Sequence, residues 1–133
     1  MFELTIKDTT YQFNFGLGFL RELNKTVEIP VDGVPGKKKH IGMRYTIAEV
    51  IDGDVEALCQ TLRVANKGFV PRLEQKELDA YVEDDETDID DLFETVVGFL
   101  ENANVTKKET ADLKKAVEEQ KAKEVAEKAK ETM

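Results

Sequence analysis

The residues best suited to chemistry form an acidic run between positions 83 and 91, where carboxylate oxygens at alternate positions could bind calcium. A calcium loop beginning at Asp84 would need a glycine at its sixth position and a bidentate glutamate at its twelfth. The chain has Ile89 and Thr95 at these positions. The spacing therefore predicts a solvated, charged hinge in which Asp88 caps the next helix, with a weak metal site as the alternative.

The histidine and the cysteine each stand alone. His40 follows Lys37–Lys39 and has no other zinc ligands at a suitable spacing, so it is predicted to be a surface residue. Cys59 falls beside an apolar helical stripe and has no positioned histidine. We predict that it behaves as a small apolar residue rather than a nucleophile.

Two glycines, Gly16 and Gly18, follow a predicted strand and resemble the start of a dinucleotide-binding fingerprint. The third glycine of that fingerprint is replaced by Arg21, and no parallel strand follows, so a tight turn is predicted. We therefore predict a partner-binding protein with no catalytic, cofactor-binding or metal-binding residues. A small metal-dependent enzyme that uses the carboxylates between Asp84 and Asp91 is the least favoured alternative.

The elements that would position these residues begin with a change of period. Apolar residues first alternate with polar ones, as in strands, and then recur about every 3.6 residues, as in helices. The alternating residues are Phe2, Leu4, Ile6, Tyr11, Phe13 and Phe15, and the helical ones are Leu17, Phe19, Leu20 and Leu23. This pattern predicts a β-hairpin that leads directly into a helix, and we predict no other strand in the chain.

The segment after this helix is predicted to be an exposed loop. Pro30, Gly33, Pro35 and Gly36 lie close together and disfavour both helix and strand. Lys37–Lys39 make it the one basic spot of an acidic protein. A solvated loop tip is the favoured interpretation, and a contact with an acidic partner or with the chain's own acidic segment is the alternative.

The rest of the body is predicted to be helical. A short helix from Met43 to Ile51 precedes Asp54, which is predicted to cap the next helix. Pro71 is predicted to begin the helix after that. The buried faces are predicted from Val55, Leu58, Leu62 and Ala65, then Leu78, Tyr81 and Val82, and finally Ile89, Leu92, Phe93, Val96, Val97 and Leu100.

The last segment is rich in Ala, Glu and Lys. Thr106 and Glu109 match a capping box at its start. Its few apolar residues predict an exposed helix, and Leu113, Val117 and Val125 are predicted to bind a partner. The alternative is that this stripe packs on its own domain or on a second copy. The predicted fold is thus mainly α: a compact helical domain with an N-terminal β-hairpin at residues 1–103, and a charged helix or partly disordered tail at residues 104–133.

Composition limits the partners. The chain has 133 residues and a formal net charge of -9, which argues against non-specific binding to nucleic acid or to an anionic membrane. We find no apolar run long enough to span a bilayer and no signal-peptide pattern, and Cys59 cannot form an internal disulfide. These features predict a cytosolic protein.

The order of elements resembles a known family. Its pieces are a hairpin whose second strand ends in Tyr-x-Phe-x-Phe-Gly, the helix FLRELNK, the segment TIAEVIDGDVEALCQTLRVAN, a proline-led helix ending in YVEDD, and the helix DDLFETVVGFLE. Together they resemble the tail assembly chaperones of long-tailed phages or prophages of Gram-positive bacteria.

The resemblance implies a non-enzymatic protein that acts in the bacterial host cytoplasm and is absent from the mature virion. It implies that the partner is the tape measure protein, held soluble while the tail tube polymerises. It also implies a longer frameshift product that recruits tail tube protein, and a chaperone of this kind is expected to self-associate. The alternative function is a generic acidic helical adaptor or regulatory protein unconnected to phage.

Overall fold

The computed structural model describes residues 2–131 of the chain, and the side chains up to Ala129. In that part the chain is 59% helical, with six helices and a short N-terminal antiparallel hairpin, which confirms the predicted fold class. The elements are β1 (Phe2–Ile6), β2 (Thr9–Phe13), α1 (Leu17–Asn24), β3 (Glu28–Pro30), β4 (Lys38–His40), α2 (Gly42–Ile51), α3 (Val55–Asn66), α4 (Gln75–Glu83), α5 (Ile89–Asn102) and α6 (Lys107–Glu131).

The first hairpin forms where the alternation predicts it. Its register pairs Phe2 with Phe13 and Ile6 with Thr9, so the turn contains only Lys7 and Asp8. Both turn residues have positive φ, as a tight two-residue hairpin turn requires. The aromatic face is buried, and the ring centroids of Phe2 and Phe13 lie 5.2 Å apart.

A second hairpin contradicts the prediction of a loop without strands and of a single β element, although this segment is exposed as predicted. Strands β3 and β4 pair antiparallel, with Ile29 opposite Lys39. The connection between them includes Gly33 and Gly36, both at positive φ. Every residue of the two strands is exposed. The strands therefore carry no apolar alternation, which marks a strand only when one of its faces is buried.

The helices enclose one core beside the first hairpin. The start of α2 meets the end of α1 so closely that a Cβ on Gly42 would lie 1.6 Å from the Leu23 carbonyl oxygen. The Asn24 side chain accepts a hydrogen bond from the Met43 amide at 3.0 Å and so caps α2. The fully buried large side chains include Phe13, Leu23, Ile47, Leu58, Leu62, Leu73, Leu78 and Leu100.

The connection between α3 and α4 differs from the prediction. Asp54 caps α3 as predicted, accepting from the Ala57 amide at 3.0 Å. Pro71, however, does not begin a helix, because α4 starts at Gln75. The fully buried Asn66 side chain accepts from the Leu73 amide at 2.6 Å and donates to the Gln12 carbonyl at 2.9 Å. These hydrogen bonds fix the connection between α3 and α4, and Leu73 in this connection packs in the core.

Helix α6 packs only at its beginning. The Thr106 hydroxyl donates to the Leu100 carbonyl at 2.7 Å, and the Glu109 carboxylate accepts from Arg44 at 2.8 Å. These are not the reciprocal bonds of the predicted capping box. Thr106, Thr110 and Leu113 are buried, whereas the described side chains after Leu113 are exposed apart from the half-buried Val117.

Candidate partner-binding groove

A groove with a mainly apolar lining runs along α5; it is called here the α5 groove and has a volume of about 730 Å³. Its floor belongs to α5, one wall to the end of α2 and the turn after it, and the other to the start of α6. It is lined by Val50, Ile51, Gly53, Asp90, Phe93, Glu94, Val97, Gly98, Glu101 and Lys114.

Helix α5 presents two faces, since residues three and four apart share a face. Leu92, Val96 and Leu100 lie on the buried face, at 4%, 0% and 0% exposure. Phe93 and Val97, also predicted to be buried, are only half-buried and lie on the neighbouring face that forms the groove. Apolar surface thus stays open to solvent along the groove.

Gly98 has no side chain and so leaves a depression in the floor of the groove. It lies inside α5, where a glycine costs about 1 kcal/mol relative to alanine. Over the part of the chain that the structure describes, a Cβ at this position would have no neighbouring atom within 4 Å beyond the local helix backbone. Packing of the described residues therefore does not require a glycine here.

The rim of the groove is acidic. Asp90 and Glu94 are exposed, and neither has an ion-pair partner in the described part of the chain. Glu101 pairs with Lys114 at 2.6 Å, and this hydrogen bond raises the pKa of the Lys114 ammonium. The pair neutralises the only cation of the lining, so the rim keeps a net negative charge.

The predicted partner-binding stripe on α6 does not form one continuous surface. Leu113 is 6% exposed and packs in the core, which is the alternative stated above for this stripe. Val117 is half-buried, and Val125 is 67% exposed. Partner binding by Leu113, Val117 and Val125 stays a prediction, and Leu113 would have to leave the core to contribute.

A second groove, between α3 and α4, carries charges of both signs. It has a volume of about 790 Å³ and includes Glu22 and Lys67, which pair at 3.0 Å. Cys59 lies in its lining, half-buried. Burial, together with Asp79 and Glu56, raises the pKa of the Cys59 thiol, and a thiol so raised is a poor nucleophile at neutral pH.

The acidic run serves local structure. The Asp84 carboxylate accepts from the Glu86 amide at 2.9 Å, and the Asp88 carboxylate accepts from the Asp91 amide at 3.0 Å, so Asp88 caps α5 as predicted. Among residues 2–131 no group of three or more His, Cys, Asp or Glu side chains is arranged to hold a metal ion.

The other candidates lie apart from the α5 groove. His40 is exposed and lies 3.3 Å from Glu28 on the paired strand. Gly16 directly precedes α1 and Gly18 lies in its first turn. Over the described residues, none of the helices combines the length and apolar character needed to cross a bilayer.

The α5 groove itself was not predicted as a site. The sequence does contain a signal for it: Asp90, Glu94, Val97, Gly98 and Glu101 recur at intervals of three and four. An apolar stripe as wide as that of α5 exceeds what one packing face can cover, and the surplus is what lines the groove.

Comparison with known proteins gives one family. The model of a family described as "Phage tail assembly chaperone protein, TAC" matches residues 3–115. No curated protein and no solved structure matches the chain. The matched range ends two residues after Leu113, the last buried side chain of α6 among those described.

Proposed function

This chain belongs to the phage tail assembly chaperone family, and from that premise we propose that it binds the tape measure protein and keeps it soluble while the tail assembles. The role is non-enzymatic. The observation that carries the proposal is the family match, which spans residues 3–115 and so includes both the core and the α5 groove.

The physical properties of the chain support this function. A chaperone for a long helical chain with apolar stripes needs an apolar groove that accepts amphipathic helices. It also needs enough net charge to keep an aggregation-prone complex in solution. The α5 groove and the net charge of -9 supply these two properties.

The proposal includes a place and further partners. The protein acts in the bacterial host cytoplasm during morphogenesis and is absent from the mature virion. A longer frameshift product carries the contact with tail tube protein, and the chaperone self-associates on the tape measure protein. Mass spectrometry of infected cells and of purified virions would identify the longer product and locate both forms.

Co-expression tests the central claim. The chain is expressed together with the tape measure protein encoded in the same tail gene cluster, and soluble and insoluble fractions are compared with those of the tape measure protein alone. We expect the tape measure protein to become soluble and to elute with the chaperone. A tape measure protein that stays insoluble, with no complex eluting, would refute the proposal.

A further inference from the structure

We propose that the α5 groove binds one amphipathic helix whose apolar face lies on Phe93 and Val97 and whose flanks carry lysine or arginine. The inference rests on the proposed function, because the occupant is a segment of the tape measure protein. It adds the place of binding and the chemical character of the segment bound.

The floor of the groove favours a helix as occupant. Phe93, Val97 and Glu101 follow one line along α5, and Gly98 lies beside this line. The α5 residues of the lining extend from Asp90 to Glu101, about 16 Å at 1.5 Å per residue, which matches about three turns of a second helix. A helix packed lengthwise would cover the apolar atoms that are now in contact with solvent.

Gly98 permits close approach at the centre of this surface. Two helices pack most closely where one of them has no side chain at the contact. Among the described residues, no atom beyond the local helix backbone lies within 4 Å of a Cβ built on Gly98, so their packing does not explain the glycine. Close approach of an occupant to the α5 backbone would explain why a glycine stands here although it destabilises the helix.

The negative charge of the rim favours an occupant with basic side chains beside its apolar face. Asp90 and Glu94 have no cationic partner in the described structure, and Lys114 is already paired with Glu101. Asp90 and Glu94 are four residues apart and lie on the same side of α5, so basic side chains on the flank of a docked helix that faces them would meet both carboxylates, while acidic ones would be repelled. Complementary charge of this kind contributes mainly to specificity and to the rate of association.

Two other arrangements fit less well. The second groove has Arg63, Lys67 and Arg72 among its acidic residues, so its lining would not favour basic flanks over acidic ones. A second copy of α6 as occupant would present interspersed Lys and Glu with few apolar residues, since between Leu113 and the end of α6 at Glu131 the apolar residues larger than alanine are Val117 and Val125. Self-association through the groove is therefore an outcome for the test to identify.

The first arm of the test fills the groove. Gly98→Leu places a side chain on the floor, and Gly18→Leu is the matched control, because Gly18 is also a helical glycine with open space around its Cβ. The probe is a fluorescent synthetic amphipathic peptide of about 18 residues, three to five turns being a usual helix length, with Leu and Ala on one face and Lys on the flanks. By anisotropy we expect Gly98→Leu to raise the Kd about tenfold or more, as loss of a central contact does, and Gly18→Leu to leave it unchanged.

The second arm reverses one rim charge without touching the core. Glu94→Lys is paired with the control Glu86→Lys, since both residues are exposed and only Glu94 lines the groove. We expect Glu94→Lys to weaken binding of the Lys-flanked peptide by about threefold to tenfold at low salt, with a smaller difference at high salt because salt screens exposed charges. A peptide with Glu in place of Lys should show the opposite preference.

The outcomes separate the inference from the proposed function. If the wild-type chain solubilises the tape measure protein and both groove variants do so equally well, the groove assignment is wrong and the chaperone function stands. If the Lys-flanked peptide binds with the predicted variant pattern but the tape measure protein stays insoluble, the function is wrong and the groove chemistry stands. No binding of the peptide by the wild-type chain overturns the inference, as does sedimentation showing that Gly98→Leu dissociates a dimer.

Discussion

Helices α5 and α6 are adjacent in sequence but differ in how many apolar side chains they bury in the core. Helix α5 has 14 residues and buries Leu92, Val96 and Leu100 in the core. Helix α6 has 25 residues, yet Leu113 is its only buried large apolar side chain among those described. Helix length is thus a poor guide to packing, because tertiary stability comes from the apolar side chains that each turn buries.

The same contrast bears on binding. In α5 the apolar stripe is wider than the core can cover, so Phe93 and Val97 remain half-buried at a solvent-facing groove. In α6 the stripe is too thin to cover anything beyond its first turns, and Val125 is an isolated exposed side chain. Scattered apolar residues are common on surfaces, whereas a continuous patch is the usual sign of an interaction site.

The largest effect expected from this contrast is on stability. Leu100→Ala should lower the free energy of unfolding by about 2–5 kcal/mol, because it leaves a cavity at a side chain that is 0% exposed. Val125→Ala in α6, the matched control at 67% exposure, should change it by less than about 0.5 kcal/mol. Urea unfolding followed by circular dichroism measures both. Equal losses would mean that the end of α6 is held as firmly as α5.

Two truncations locate the end of the packed body. Removing residues 104–133 deletes the buried Thr106, Thr110 and Leu113, and should cost about 2–4 kcal/mol from lost apolar burial and lost hydrogen bonds. Removing only the residues after Lys115 should cost less than about 0.5 kcal/mol, because almost all of them are exposed.

Thermal melts of the two truncated chains provide the measurement. The predicted division of the chain after Ala103 would be supported if both truncations left stability unchanged. A large loss of stability only on removal of residues 104–133 would place Leu113 with the body. If the chain that ends at Lys115 still binds the tape measure protein, Val117 and Val125 are dispensable for binding.

Gly98→Ala should make the isolated chain more stable by about 0.5–1 kcal/mol, because alanine favours the helix and meets no neighbour at this position. Gly42→Ala is the contrasting control, since its Cβ would collide with the Leu23 carbonyl, and it should be destabilising. Chemical unfolding of both variants is compared with that of the wild type. A destabilising Gly98→Ala would mean that the floor of the groove is already packed.

The smallest effect is expected at the ion pair that joins the two helices. The pKa of Lys114 is raised by Glu101, so the stabilisation from this pair is present below the ordinary lysine pKa and is lost as pH rises through the raised one. Lys114→Met should therefore change stability slightly at neutral pH and reduce its decline in alkali. Melting temperatures from pH 7 to about pH 11, compared with those of the exposed control Lys115→Met, measure this. A Lys114→Met chain with an unchanged alkaline decline would contradict the assignment.

Several elements follow directly from local sequence. The hairpin of β1 and β2, the caps Asp54 and Asp88, and the buried face of α5 were all predicted, because each depends on residues close together in the chain. The second hairpin was missed because its exposed strands have no alternation, and Pro71 was misplaced because Asn66 binds the segment after it. Such contacts join residues whose partners no local pattern specifies.

The order and spacing of the helical and strand patterns determined, from the sequence alone, the mainly α fold and the resemblance to the tail assembly chaperones. Tertiary structure alone decided which apolar residues stay uncovered. Leu113 and Val125 belong to the same thin stripe, yet one lies in the core and the other in solvent. Phe93 and Leu92 are neighbours in the same wide stripe, yet only Phe93 lines a groove. Periodicity assigns a side chain to a face, whereas its burial depends on whether another element packs there.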